Sequence, residues 1–318
     1  MFNNIGTDIV LAAQLLQQGN LVAIPTETVY GLAANALDEN AVKKIYEAKQ
    51  RPAVNPLIIH LADASQVEEF VEYIPAVAHR LIERFCPGPL TVVLPRKNII
   101  PDIVTAGKDT VAIRIPAHPV AQQLLRLARL PLAAPSANPS GYISPTSAVH
   151  VLTTLGGRVS YILDGGDCNA GIESTIVGFD NEVPVIYRQG VITAGDIESV
   201  AGVVKQYAGS ALLAPGMSRS HYSPVTPVIA TRDVEETLHK YNDLRLGLLT
   251  YGTYAPEIPT HDQELLCVND EWHIAARNLY GAMHRLDGRN YDLIIARLFP
   301  SGGIGSALND RLERAAAK

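Results

Sequence analysis

Cations, small hydroxyls and amides recur along the first two thirds of this sequence, at spacings that suit the grip of an anionic ligand. The segment AKQRPAVNPLIIH (48–60) leaves a helix through Lys49 and Arg51, crosses Pro52 and Pro56, and carries Asn55 and His60 into a strand. Two cations, an amide and an imidazole on a chain stiffened by prolines fit a triphosphate. The same two cations could instead complement a helix C-terminus. In PTETVYGL (25–32), Thr26, Glu27, Thr28 and Tyr30 precede Gly31, either orienting a small polar substrate or capping a helix start. In DTVAIRIPAH (109–118), Arg114 interrupts an apolar strand; a buried arginine needs a partner, which a carboxylate substrate or a structural acid would supply. His118 suits the start of the next helix.

Two further segments are rich in backbone-flexible and hydroxyl residues. APSANPSGYISPT (134–146) sets Ser136, Asn138, Ser140 and Ser144 in a loop before a helix, which reads as a phosphate cradle or as ordinary turn chemistry. DGGDCNAGIESTIVGF (164–179) feeds a strand through Glu173, Ser174 and Thr175; its glycines allow close approach to a ligand, or simply a turn. Arg188 closes the following strand. SRSHYSP (218–224) brings Arg219, His221 and Tyr222 together as a lid or as an exposed spacer. There is no Gly-x-x-x-x-Gly-Lys-Ser/Thr, no Gly-x-Ser-x-Gly and no His-Glu-x-x-His, so neither a covalent nucleophile nor a protein metal-ligand set is indicated. The chemistry on offer is positioning and charge stabilisation.

These loops need a scaffold, and the pattern around them is α/β. Thr7 is placed to cap a helix over Ile9, Ala12, Ala13, Leu15 and Leu16 that Gly19 stops, and LVAIP (21–25) reads as a buried strand. A helix over 39–49 behind Asp38, a strand over 57–61, and helices over 66–73 and 76–85 follow. Short β-rich runs stand at 90–94, 111–115, 132–134, 161–163, 175–179 and 183–187, and one domain closes near residue 192. Residues 193–227 are assigned to a linker or lid, whose stretch from Ser210 to Pro227 is rich in Pro, Ser and Gly. Beyond it, strand-like 228–230, 246–251, 264–268 and 292–298 alternate with helical 234–241, 272–286 and 305–316, a small doubly wound domain over 228–318. It lacks Gly-x-Gly-x-x-Gly after its first strand.

Composition narrows the class. The 318 residues are 47% hydrophobic and 18% charged, enough to build two cores and too apolar for disorder. Lys plus Arg number 26 against 32 Asp plus Glu, for a net charge of −6, which argues against a general nucleic-acid coat. Cys86, Cys168 and Cys267 form no Cys-x-x-Cys and no even framework, so reduced thiols are expected. The N-terminus MFNNIGTDIV reads as neither a signal peptide nor a membrane anchor, and a cytoplasmic location is expected.

Taken in order, PTETVYGL, Lys49-x-Arg51-Pro52 with Asn55-Pro56-Leu57, Pro87-Gly88-Pro89-Leu90-Thr91, Arg114-Ile115-Pro116, Pro135-Ser136-Ala137-Asn138 with Ser140-Gly141, Ser144-Pro145-Thr146 and Glu173-Ser174-Thr175 resemble the YrdC/Sua5 family. PGMSRSHYSP and the small second domain resemble its long, Sua5 form. The resemblance implies a YrdC-like twisted mixed sheet with helices and a deep basic cleft, plus a Rossmann-like C-terminal Sua5 domain. It implies L-threonylcarbamoyladenylate synthesis from L-threonine, bicarbonate or carbon dioxide, and ATP with magnesium, releasing pyrophosphate. The product would serve N6-threonylcarbamoylation of tRNA adenosine 37 through a downstream transferase complex, without a stable nucleic-acid complex or a membrane.

Carried onto matching positions, Lys49, Arg51, Ser136 and Asn138 correspond to the family's Lys-x-Arg and Ser-x-Asn tetrad. Thr28, His60, Arg114, Ser174 and the backbone at Ala134 would hold threonine. Arg51, Asn55, Thr110, Ser136, Ser144 and Arg188 would hold ATP, with Tyr222 closing from the linker. Ser220 separates Arg219 from His221, a departure from the family's Arg-His-Tyr run. A double-stranded RNA or tRNA binding module is the alternative, opposed by the acidic balance and by the lack of interleaved Arg and aromatic residues. Carbamoyl transfer from carbamoyl phosphate is a third reading, opposed by the absence of acylphosphatase and zinc modules.

Overall fold

The computed structural model describes residues 4–209, 211, 213–217 and 221–317. Its first sheet contains β1 (Ile5–Gly6), β2 (Val22–Ile24), β3 (Gly31–Asn35), β4 (Ile58–His60), β5 (Leu90–Pro95), β6 (Thr110–Arg114), β7 (Leu132–Ala133), β8 (Tyr161–Leu163), β9 (Thr175–Asp180), β10 (Val183–Arg188) and β11 (Lys205–Gln206). Their order across the twisted, mixed sheet is β1-β8-β2-β3-β7-β4-β6-β5-β9-β10-β11. In its middle, β4 runs parallel to β6 with His60 opposite Arg114, and β5 runs antiparallel to β6 with Thr91 opposite Arg114. Leu90 of β5 in turn pairs with Thr175 of β9. Distant segments thus end side by side, so the loops leaving them converge.

Helices cover both faces: α1 (Ile9–Gln17), α2 (Glu39–Lys49), α3 (Val67–Phe70), α4 (Ala76–Phe85), α5 (Asp102–Thr105), α6 (Pro119–Ala128), α7 (Ala148–Leu155) and α8 (Ala194–Ala201). Alternation along β2 sets the layers: Val22 and Ile24 pack with Leu16, Leu124 and Leu125 of α1 and α6, while Ala23 joins the larger core with Val42, Ile45 and Leu81 of α2 and α4. α1 begins one residue later than its sequence suggests, because Asp8, not Thr7, accepts from Leu11 N–H. A carboxylate serves the orphan amide at least as well as a hydroxyl. Asp38 caps α2 as expected, and Gln50, left-handed at φ 52°, ends it just after Lys49.

The second sheet contains β12 (Val228–Thr231), β13 (Leu246–Thr250), β14 (Gln263–Leu265) and β15 (Leu293–Arg297), all parallel, in the order β12-β15-β13-β14. Leu246, Leu248, Leu293 and Ile295 face Leu238 on α9 (Val234–Lys240), whereas Leu249, Ile294 and Ala296 face α10 (Trp272–Asp287) and α11 (Gly303–Ala316). The sheet is therefore covered on both sides, as its near-continuous apolar strands require.

The linker is shorter than its sequence suggests. α8 packs on the first domain, with Ile197 in its core, and β11 extends the first sheet by pairing with β10. A capping box between Thr193 and Asp196 starts α8 where the sequence pattern gives only a loop. The two domains then meet closely: a Cβ on Gly171 would collide with the Ala276 carbonyl of α10, and its φ of 76° also favours glycine. Among the described residues no helix is long and apolar enough to cross a membrane.

Candidate active site

The converging loops enclose a cavity with about 40 Å³ of free space, room for water only, because linker residues Pro215, Gly216, His221 and Tyr222 form part of its wall. Arg114, at the end of β6, lies at one side. Its Nη1 donates to Thr28 Oγ1 (2.8 Å), and its Nη2 lies 2.7 Å from Glu27 Oε1. Burial alone would raise the Glu27 carboxyl, but the guanidinium overcomes it and holds the group below the ordinary carboxylate range. Beside Arg114, burial first and that same positive charge second push His60 down to about 3, leaving a neutral imidazole whose Nδ1 lies 3.3 Å from the Ile58 carbonyl. With Thr26, whose hydroxyl lies 2.9 Å from that of Thr28, these groups make a small polar wall.

The other side is cationic. Lys49, at the last position of α2, donates to the carbonyls of Ser136 and Asn138, both at 2.5 Å, and so pins the Ser-x-Asn loop. Arg51 donates to the carbonyls of Asn55 (3.2 Å) and Pro56 (2.8 Å). Arg188 donates to the Ser174 carbonyl and hydroxyl and to the Pro215 carbonyl, each at 3.1 Å. All three cations are buried, and among the described residues none pairs with a carboxylate. Burial drives the Lys49 ammonium well below its usual range, with neighbouring Arg51 adding to it. Such charges need an anion to offset their desolvation.

Of the residues singled out from sequence, Thr28, Arg51, His60, Arg114, Ala134, Ser136, Arg188 and Tyr222 line the cavity. Lys49, Asn55, Asn138, Ser144 and Ser174 are buried close behind it. Asn55 Oδ1 and Asn138 Oδ1 are buried without a hydrogen-bond partner. Ser144 donates to Glu173 (2.6 Å), and Ser174 lies 2.7 Å from the Thr91 hydroxyl. Thr110 is not brought to the cavity: it stands at the opposite end of β6 from Arg114, in a separate groove with Tyr187 and Leu213, and a five-residue strand spans over ~13 Å. Arg219 lies outside the described residues. His118 stands at the start of α6, as expected, although its ring makes no capping bond.

Sequence reasoning left Glu173 and His221 out of the site, yet both line the cavity. It also missed Tyr280 and Arg311 of the second domain, which bind Glu173 at 2.9 and 3.1 Å. Among the described residues no three His, Cys, Asp or Glu side chains cluster as a metal site.

The family model Sua5_yciO_yrdC, described as "Telomere recombination", matches residues 14–190, and that of the "Threonylcarbamoyl-AMP synthase, C-terminal domain" matches residues 192–317. The chain belongs to the Sua5/YciO/YrdC family. It is 42% identical to a Pyrococcus abyssi protein named threonylcarbamoyl-AMP synthase, over 96% of this chain and 93% of that one. It is also 42% identical to a Bacillus subtilis protein of the same name, over 97% and 92%. The crystal structure of P. abyssi Sua5 complexed with L-threonine superimposes with a TM-score of 0.89, at 42% identity over 97% of this chain and 94% of the other. Full-length HypF, at 23% identity and a TM-score of 0.51, shares the fold alone. This Sua5-type chain thus carries both domains of its family's long form.

Proposed function

We infer that this chain synthesises L-threonylcarbamoyladenylate from L-threonine, bicarbonate and ATP, with release of pyrophosphate, for N6-threonylcarbamoylation of tRNA. The observation that carries the reading is the trio of Lys49, Arg51 and Arg188, buried and, among the described residues, without a carboxylate partner, beside the polar groups gathered around Arg114. Three desolvated cations answer the charge of a triphosphate, and one guanidinium answers a single carboxylate.

In this reading Arg114 meets the threonine carboxylate, with Thr28, His60, the Ala134 backbone and Ser174 around the rest of the amino acid. Burial and the positive field of Arg114 favour the neutral amine, whose lone pair attacks the carbon of carbon dioxide with loss of a proton to solvent, or that of bicarbonate with loss of water, to give a carbamate. A carbamate oxygen then attacks the α-phosphorus, and the bond to the β-phosphate oxygen breaks. Arg51 and Arg188 would stabilise the charge growing on the transferred and leaving groups, and Lys49 would hold Ser136 and Asn138 against them. Asn55 and Ser144 support the same side, and the linker must lift to admit ATP and return to seat Tyr222. Thr110, in its separate groove at the opposite end of β6, has no part in this reading. Magnesium would enter on ATP as part of the substrate, since Glu173, the one acid on the cavity wall among the described residues, is already bound by Ser144, Tyr280 and Arg311.

The product is a reactive mixed anhydride, which fits transfer to a downstream threonylcarbamoyl transferase complex in the cytoplasm. Cations this deeply buried cannot reach the phosphates of a duplex, which weighs against an RNA-binding module. Pyrophosphate release measured with magnesium and ATP, omitting threonine and bicarbonate in turn, tests the reading. Release indifferent to both omissions would overturn it, and a salt-sensitive RNA shift without turnover would favour the alternative.

A further inference from the structure

Glu173, the one acid on the cavity wall among the described residues, is held from outside its own domain. Glu173 Oε2 accepts from Tyr280 Oη (2.9 Å) on α10 and from Arg311 Nε (3.1 Å) on α11, while Oε1 accepts from Ser144 Oγ (2.6 Å). Arg311 is fully buried and reaches two more groups, one next to the wall and one in it. Its Nη2 donates to the Gln189 carbonyl (2.7 Å), next in sequence to Arg188, and its guanidinium carbon lies 5.2 Å from the centre of the Tyr222 ring. Nη1 donates to Asp310, which also binds Arg314. Tyr222 also packs on Tyr280, with ring centres 5.7 Å apart.

The electrostatics give this contact a purpose beyond holding two domains together. A lone carboxylate on the cavity wall would repel the phosphates of an incoming nucleotide and compete with them for Arg188. Arg311 and Tyr280 supply that carboxylate with donors from its far side. Glu173 is held ionised, with a pKa of about 2 in spite of its burial, by the charge of Arg311 first and that of Arg188 second, while among the described residues the hydrogen bonds of Arg188 go to neutral acceptors. The Tyr222 ring, in the left-handed region at φ 65°, gains a cation against its face in the same place.

We propose that Arg311 is a positioning residue for the nucleotide, by which the C-terminal domain neutralises Glu173, frees Arg188 and seats Tyr222. This rests on the proposed synthesis of threonylcarbamoyladenylate, and it assigns the second domain a direct part in that reaction.

The test compares full-length wild type with Arg311→Met, Arg311→Lys, Tyr280→Phe and Arg311→Met/Glu173→Gln. MgATP affinity and threonine affinity are measured separately by calorimetry, with thermal midpoints alongside. Arg311→Met is expected to weaken MgATP on the order of 10- to 100-fold while threonine affinity stays within about twofold. Arg311→Lys, which keeps the charge without the fork, should regain part of the loss, and Tyr280→Phe should weaken MgATP several-fold with no change in threonine binding. Adding Glu173→Gln to Arg311→Met should recover about tenfold in MgATP affinity, because the uncompensated acid is gone. A purely structural Arg311 would lose and regain both ligands together with the thermal midpoint, whereas recovery confined to MgATP, at constant threonine affinity, marks the positioning role. Unchanged MgATP affinity in Arg311→Met and Tyr280→Phe, or a parallel loss of both ligands without rescue, overturns the proposal. If wild type binds MgATP but releases no threonine-dependent pyrophosphate, the synthesis reading falls instead, and the MgATP affinities still decide the role of Arg311.

Discussion

Glu27 and Arg114 face each other at 2.7 Å between the PTETVYGL loop and the end of β6. The pair sets apart two roles of Arg114, structural counter-charge and ligand for a carboxylate. Arg114→Met should destabilise the fold by about 3 kcal/mol, since it strands a largely buried acid. Glu27→Gln/Arg114→Met should recover most of that stability without recovering threonine binding. Thermal midpoints and threonine calorimetry on the two variants check both halves; threonine bound normally by the double variant would remove Arg114 from the substrate.

Lys49→Ala and Arg51→Ala should both cut threonine-dependent pyrophosphate release by about 100-fold or more. Both should also cost stability, about 1–3 kcal/mol each, because Lys49→Ala leaves the Ser136 and Asn138 carbonyls without their donor and Arg51→Ala does the same to the Asn55 and Pro56 carbonyls. Turnover near wild type in both variants would exclude the cationic wall from the reaction.

Gly216 takes φ 82°, and a Cβ there would stand 2.7 Å from Tyr222 Oη and 3.1 Å from Arg188 Nη1. Gly216→Ala should therefore unseat the linker from the arginine beneath it. The expected result is a lower kcat and a raised KM for ATP, with threonine affinity measured without ATP unchanged. Kinetics of wild-type quality would show that the linker need not close this tightly.

Acid should loosen the protein well before its carboxylates titrate. His60, His221 and His284 are each pushed down to about 3, mainly by burial. Below about pH 6.5 the unfolded chain takes up protons that the folded chain refuses, so stability present at neutral pH is lost as pH falls toward 3. Each buried histidine contributes a slope on the order of 1 kcal/mol per pH unit. Urea unfolding at pH 7.5 and pH 5.0 should show the loss, and His284→Gln should make it shallower; equal stability at the two pH values would contradict it.

Much of the fold was legible because local signals stood where the tertiary structure needed them. Helices 39–49 and 76–85 match their sequence bounds, the first because Asp38 caps it and the second because Pro75 precedes it. β3 was not legible: GLAAN has no alternation, and the segment is a strand only because β2 and β7 flank it. The site residues could be read from their loops, but their depth could not. The role of Arg311 is only half visible in the sequence. It falls on the apolar stripe of α11 among Ala307, Leu308, Leu312 and Ala315, a pattern that announces a buried cation in need of a partner. Its partner lies 138 residues away, across a domain boundary, where no spacing rule reaches.

The long mixed sheet begins at Ile5–Gly6 and ends at Lys205–Gln206, two strands of two residues each. An eleven-stranded sheet with full-length margins would offer a template on which another chain could zip up. Here each border exposes too few free amides and carbonyls to nucleate such growth, and the outer one carries a lysine. Self-association through strand addition is thereby discouraged, and the broad inner platform needs no covering partner to stay dispersed.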